Sequence, residues 1–166
     1  TEFIELAGEV NQGMPYHVVD LVCQALSLHG RPLHGARVLV LGVAFKPDID
    51  DARNSPAERV IELLLGRGAC VQYHDPYVPR FQVGNDVFHR EAVVMESVPL
   101  GEEEIKAADC VIIVTGHHNL NYRFVVECTD LVVDTCNVTA TVINPQDPSS
   151  AELQRKIVRL GAPLSR

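Results

Sequence analysis

Four short runs of almost uninterrupted apolar residues constrain this chain more than any other feature. They are Val38-Leu39-Val40-Leu41-Gly42, Cys70-Val71-Gln72-Tyr73-His74, Asp109-Cys110-Val111-Ile112-Ile113-Val114 and Leu131-Val132-Val133-Asp134. A strand with one wet face alternates polar and apolar residues, whereas a run that is apolar at nearly every position is buried on both faces. Segments with helical spacing separate the runs. Strands alternating with helices build a parallel sheet sandwiched between helical layers. The expected architecture is therefore α/β, a Rossmann-like parallel sheet with helices on both faces, starting near residue 34.

A long helix is expected in front of the sheet, over residues 2 to about 30. Phe3, Ala7, Val10, Met14, Val18, Leu21, Ala25 and Leu28 form a seam with steps of three and four. Unbroken, it would reach about 40 Å. Pro15, with Gly13 beside it, is expected to break or kink the helix near Met14. Such a seam needs cover, from the rest of the chain, from a second copy or from another domain.

Ser55-Pro56 predicts a second helix to about Arg67, with Ser55 as N-cap, Pro56 at the first position and Glu58 completing a capping box. Residues 80 to 101 read as less regular, with a short strand over 93–98. Short helices are expected over 102–107 and 123–128, and a last helix over 149–160.

Asp and Glu number 22 against 14 Lys and Arg, a formal net charge of −8. No basic stripe exists to displace counterions from a nucleic acid. A small anionic ligand stays possible, since it needs only one or two cations and some backbone N–H groups. No apolar run reaches the roughly 18 residues of a membrane span. The start, Thr1-Glu2-Phe3-Ile4-Glu5, is not a secretory signal and lacks an initiator Met, which suggests a piece of a longer cytoplasmic protein. Cys23, Cys70, Cys110, Cys128 and Cys136 are odd in number and contain no CxxC. Reduced, mostly buried thiols are expected.

In open parallel sheets ligands bind beyond the C-terminal strand ends. Here these are residues 42–54, 74–79, 115–121 and 134–139. The first connection, Gly42 to Asn54, is not GxGxxG and exceeds the usual length of about two to six residues. It places Lys46 and Arg53 before a helix N-terminus, a candidate phosphate site. The same residues could simply neutralise Asp48, Asp50 and Asp51 on the surface, and the residues alone leave both readings open. His117-His118 lacks a third ligand at metal spacing and reads as a polar loop beside the pocket. His74 and Asp75 offer an acid–base pair or a structural Asp-Pro turn, of which the turn is the simpler reading.

Four stretches carry a resemblance. The run Val40-Leu41-Gly42-Val43-Ala44-Phe45-Lys46-Pro47-Asp48-Ile49-Asp50-Asp51-Ala52-Arg53-Asn54-Ser55-Pro56-Ala57 resembles the signature of the C-terminal domain of the UDP-glucose/GDP-mannose dehydrogenase family. Tyr73-His74-Asp75-Pro76-Tyr77-Val78-Pro79 is similar to that family's next strand end. Glu9-Val10-Asn11-Gln12-Gly13-Met14-Pro15 is similar to the long helix joining its central and C-terminal domains, and Asp134-Thr135-Cys136-Asn137 to its last strand end. The Met14-Pro15 helix and the His74-Asp75-Pro76-Tyr77 run look most like bacterial members acting on UDP-N-acetylhexosamines.

The resemblance implies that residues 1–33 end a central domain with a connecting and dimerising helix, and that residues 34–166 form the nucleotide-sugar (UDP)-binding domain. Family members oxidise the C6 hydroxyl of a nucleotide sugar to a carboxylate with two NAD per turnover. An N-terminal domain holds NAD, and a central domain supplies a catalytic Cys. Carried onto this sequence, Phe45 and Lys46 would contact the UDP-sugar and Arg53 would reach NAD. The chemistry agrees: an aromatic beside a Lys suits uracil or ribose plus phosphate, and a guanidinium suits a pyrophosphate oxygen pair. A homodimer through the N-terminal helix is also implied.

Two departures stand out. Cys136 occupies the position of a common family Arg, and no Cys here follows a Gly-Gly-x-Cys run, so no catalytic residue is expected and the isolated chain should be inactive. The competing readings are a non-catalytic nucleotide-binding or scaffolding module of the same fold, and an unrelated flavodoxin-like phosphate binder.

Overall fold

The computed structural model describes residues 1–84, 92–144 and 146–164. Residues 85–91, inside the stretch expected to be irregular, lie outside the described residues. In chain order the elements are α1 (Glu2–Leu28), β1 (Arg37–Leu41), α2 (Pro56–Gly66), β2 (Cys70–His74), β3 (Arg80–Val83), β4 (Val93–Glu96), α3 (Glu102–Ala107), β5 (Cys110–Ile113), α4 (Tyr122–Cys128), β6 (Val132–Asp134), α5 (Ala151–Arg155) and β7 (Ile157–Arg159).

The four apolar runs become β1, β2, β5 and β6. With β7 they form one parallel sheet in the order β2-β1-β5-β6-β7. The period of two sorts their side chains into two cores. Val38, Val40, Tyr73, Cys110, Ile112 and Val133 pack with Val19, Val22 and Leu26 of α1 and Val60, Ile61 and Leu64 of α2. Leu39, Leu41, Val111, Ile113 and Val132 pack with Ile105 of α3, Val125 and Val126 of α4, and Ile143. This double burial is why β1, β5 and β6 carry so few polar residues; β2, expected to be buried on both faces, is the sheet edge and buries only Tyr73.

Helix α1 passes through Pro15 without a break, so of the break or kink expected near Met14 the break does not occur. Proline removes one backbone donor, but the ring of Pro15 is itself buried at the start of the packed half of the helix, which offsets that loss. Only that half uses an apolar face: Pro15, Val18, Val19, Leu21, Val22, Ala25 and Leu26 are buried. Phe3, Ile4, Leu6 and Val10 are exposed, as is Leu28. The seam expected along the whole helix therefore finds cover within the chain only from Pro15 onward, and it turns onto Val19, Val22 and Leu26.

Ser55 caps α2 as expected, its Oγ accepting from Ala57 N at 3.2 Å. The last predicted helix is corrected. Pro148–Ser150 form a 3-10 turn, only Ala151–Arg155 is α-helical, and Ile157–Arg159 turns back as β7 beside β6. The strand expected over 93–98 exists as β4, in an antiparallel pair with β3 that the sequence did not suggest. The thiols are less buried than expected. Cys110 is buried, but Cys70, on edge strand β2, and Cys136 are exposed, and all five are free. Among the described residues no helix is long and apolar enough to cross a membrane.

The uneven packing of α1 is testable. Leu26→Ala should cost about 2–5 kcal/mol, whereas Leu6→Ala should stay within about 0.5 kcal/mol in urea unfolding of this chain. Equal losses would contradict this division of the helix.

Candidate functional site

Strand β1 sends its chain through α2 to β2 on one side, and β5 sends its chain through α4 to β6 on the other. The C-terminal ends of β1 and β5, which are neighbours in the sheet, therefore flank a crevice, the switch point at which parallel sheets take ligands. Here the two strand ends approach closely. Gly42 has φ 80°, and a Cβ on it would fall 2.2 Å from the Thr115 carbonyl oxygen. Any other residue at position 42 would push the β1 and β5 loops apart.

A buried carboxylate organises the crevice. Asp75 follows β2 and is 3% exposed. Its Oδ2 accepts from Val43 N at 2.7 Å and Ala44 N at 3.0 Å, at the start of the long β1 loop. The same oxygen lies 2.9 Å from His117 Nε2, beyond β5. Its Oδ1 accepts from Tyr77 N at 2.8 Å and Val78 N at 3.1 Å. Burial works to raise the Asp75 pKa, but these donors, Tyr77 N and His117 foremost, outweigh it and hold the carboxyl below its ordinary value. The His74 ring turns away, its Nδ1 bonding Val98 O at 2.7 Å. His74 and Asp75 are thus not an acid–base pair. Asp75 is a turn-former, as the simpler reading had it, and pairs with His117.

The β1 loop is closed by Phe45 N donating to Asp51 O at 2.8 Å. Thr115 Oγ1 bonds Ala44 O at 2.6 Å, a further tie to the β5 side. Asp48, in the left-handed region at φ 62°, donates its N–H to His117 Nδ1 at 2.9 Å. Its carboxylate receives His118 N at 2.9 Å and pairs with the His118 ring. Asp48 and the two histidines thus lock the loop to the end of β5. Among the described residues no three His, Cys, Asp or Glu side chains converge to hold a metal.

The three candidate residues sit on this loop but do not share one hollow. Phe45, 48% exposed, lines a groove of about 700 Å³ between the loop and α1, with Asn11, Gln12, Tyr16, Asn54 and Arg59. Arg53 lies on the opposite flank, over a shallow hollow with Asp50, Glu58 and Arg80. Its Nε and Nη2 grip Asp51 at 2.9 and 2.7 Å, and the guanidinium holds the Asp51 carboxyl down at about 2. Lys46 is exposed, with Nζ 5.8 Å from the Phe45 ring centre, and makes no ion pair among the described residues.

Cys136, beyond β6, also borders the crevice, since a Cβ on Gly116 would lie 3.3 Å from its Sγ. Desolvation of the sulfur, then the Asp134 charge, push the thiol up to about 12, although the residue as a whole is exposed. It is neutral at ordinary pH and supplies no cation. Sequence reasoning missed the Asp75–His117 pair, whose members are 42 residues apart. The one available signal was that both fall at strand ends of the ligand side.

Asp75 carries a pH prediction. Its pKa is lower folded than unfolded, so its stabilisation is fully present above the unfolded value of about 3.9 and is lost as pH falls through the folded value. Asp75→Asn should cost about 2 kcal/mol or more at pH 7, by leaving buried N–H donors poorly matched, and should flatten the acid limb of stability below about pH 4. Urea unfolding from pH 3 to 7 checks this; an unchanged acid limb would contradict it.

Comparison with known proteins agrees with this geometry. Residues 39–141 match the UDP-glucose/GDP-mannose dehydrogenase family, UDP binding domain. The UDP-N-acetyl-D-mannosamine dehydrogenase of Methanococcus maripaludis is 30% identical over 118 residues, 70% of this chain and 24% of that protein. Among solved structures, the NDP-N-acetyl-D-galactosaminuronic acid dehydrogenase of Methanosarcina mazei superposes with a TM-score of 0.65 at 30% identity, over 93% of this chain and 30% of that one. The UDP-D-ManNAc dehydrogenase of Pyrococcus horikoshii gives 0.64 at 25% identity, over 81% of this chain and 29% of that one. The chain thus spans about a quarter to a third of the length of these relatives. With a matched segment that runs from β1 past β6 and contains the whole crevice, the chain belongs to the UDP-glucose/GDP-mannose dehydrogenase family, through its UDP-binding domain.

Proposed function

We propose that this chain is the substrate-binding, C-terminal part of a cytoplasmic NAD-dependent UDP-sugar 6-dehydrogenase of polysaccharide biosynthesis, acting on a UDP-N-acetylhexosamine. Residues 1–33 would close a central domain and residues 34–166 would hold the nucleotide end of the sugar. The observation that carries this reading is the locked β1 loop beyond the β1/β5 strand ends, which carries an exposed Phe45 and a Lys46 without an ion pair among the described residues. Phe45 offers a face for uracil or ribose, and Lys46 a point charge for the diphosphate. Relatives named for N-acetylhexosamine nucleotides support the substrate class.

NAD, the hydride acceptor of the reaction, would be held mainly by a domain outside these residues, since the chain has no GxGxxG turn. Arg53 is the residue here suited to reach it. Asp51 fixes the guanidinium plane through Nε and Nη2, and Nη1 has no partner among the described residues. None of the five thiols lies in a Gly-Gly-x-Cys run, so the oxidation itself belongs to other parts of the protein, and the chain alone is inactive. The exposed Phe3, Ile4, Leu6 and Val10 of α1 suit the homodimer contact.

A second reading, a non-catalytic scaffolding module that keeps the fold without the ligand, draws on Cys136, which is neutral where the family commonly carries an Arg. Calorimetric titration with UDP, UDP-N-acetylglucosamine, GDP and NAD separates the two. Uridine-selective binding that Lys46→Ala weakens about tenfold or more, the loss of one charge-assisted contact, supports the dehydrogenase reading. Undiminished affinity in Lys46→Ala would contradict the proposed site.

A further inference from the structure

We infer that His117 is the positioning residue of the Phe45–Arg53 loop and that it works through a fixed tautomer. Its importance for nucleotide binding rests on the reading above; its grip on the loop does not. A backbone N–H can only donate, so the Asp48 N–H, 2.9 Å from His117 Nδ1, requires a lone pair on that nitrogen. The ring proton then sits on Nε2 and is donated to Asp75 Oδ2 at 2.9 Å. The Asp75 carboxylate selects the tautomer, and the tautomer makes the acceptor that Asp48 needs.

Each partner belongs to a different segment. Asp75 follows β2 and also holds Val43 N and Ala44 N, where the loop begins. His117 follows β5 and is fully buried, and Tyr122 OH, from α4, donates to its carbonyl at 3.0 Å. The Tyr77 ring lies against the imidazole with centroids 5.0 Å apart. The imidazole is thus held on several sides and cannot drift with the loop. Asp48 is a non-glycine residue at φ 62°, a conformation that persists only where the surroundings enforce it. Phe45 and Lys46 lie just before it on a loop that Phe45 N closes onto Asp51 O. Release of the Asp48 N–H would leave the far end of the segment that carries both side chains tied to the β5 side only through the exposed Asp48–His118 pair.

The choice of side chain separates this role from plain core filling. His117→Asn keeps an acceptor where Nδ1 stood and loses the donor toward Asp75. His117→Gln keeps the donor and loses the acceptor. In the wild-type chain, nitrogen-labelled NMR should show a proton on His117 Nε2, none on Nδ1, and a through-hydrogen-bond coupling between Nδ1 and the Asp48 amide nitrogen. Asp48 amide exchange should stay protected in His117→Asn and speed up about tenfold or more in His117→Gln, with UDP affinity falling in the same order, about tenfold for Gln. A protonated Nδ1, an absent coupling, or equal Asp48 protection in all three proteins would overturn the inference. The wild-type coupling stands even where a variant fails to fold. If wild-type protein bound no UDP, the nucleotide reading would fall, and coupling and exchange would still decide for or against the clamp.

Discussion

One carboxylate holds the functional end of this molecule together. A parallel sheet fixes its strands by backbone hydrogen bonds, but the loops beyond the strand ends have no such ladder. Here Asp75 supplies the missing connection. It draws backbone N–H groups of the β1 loop, its own β2 turn and an imidazole from the β5 loop onto its two oxygens. A buried charge is costly unless fully bonded, and this one meets that condition with donors from three segments. The Gly42–Thr115 approach becomes possible because the loops are already drawn together.

The rest of the site follows from that anchor. With His117 oriented, Asp48 can sit in its left-handed conformation, and the loop projects Phe45 toward α1 and Arg53 toward the opposite flank. The two sides differ in chemistry, one an exposed aromatic ring among mostly polar side chains, the other a guanidinium on a carboxylate. The first half of α1 stands apart from this arrangement: Phe3, Ile4, Leu6 and Val10 are exposed, whereas the helix is packed from Pro15 onward.

Much of this was legible in the residues, for identifiable reasons. Val38–Leu41 and Cys110–Ile113 could be read as strands because burial on both faces leaves a run with almost no polar residues. Ser55-Pro56 could be read as a helix start because capping is local chemistry. The loop with Phe45, Lys46 and Arg53 stood out by its resemblance and its place beyond β1. What escaped depended on partners distant in the chain. Ile157–Arg159, inside the helix expected over 149–160, is only three residues long and becomes a strand because β6 offers an edge. Pro15 failed to stop α1 because its burial depends on tertiary packing. Nothing local in His74-Asp75 tells which of the two turns inward, and nothing in His117-His118 reveals that one ring is wholly buried and the other exposed.

The central claim is that the locked β1 loop beside the β1/β5 crevice forms the nucleotide site. Backbone chemical-shift mapping of this chain on addition of UDP tests it most directly. The expected result is a set of shifted amides confined to residues 43–54, 115–118 and 135–137 and to the groove wall at 11–16 of α1, with residues 2–10 and the β3–β4 pair unmoved. Shifts centred on residues 2–10 of α1 or on the β2 edge, with the β1 loop silent, would contradict it.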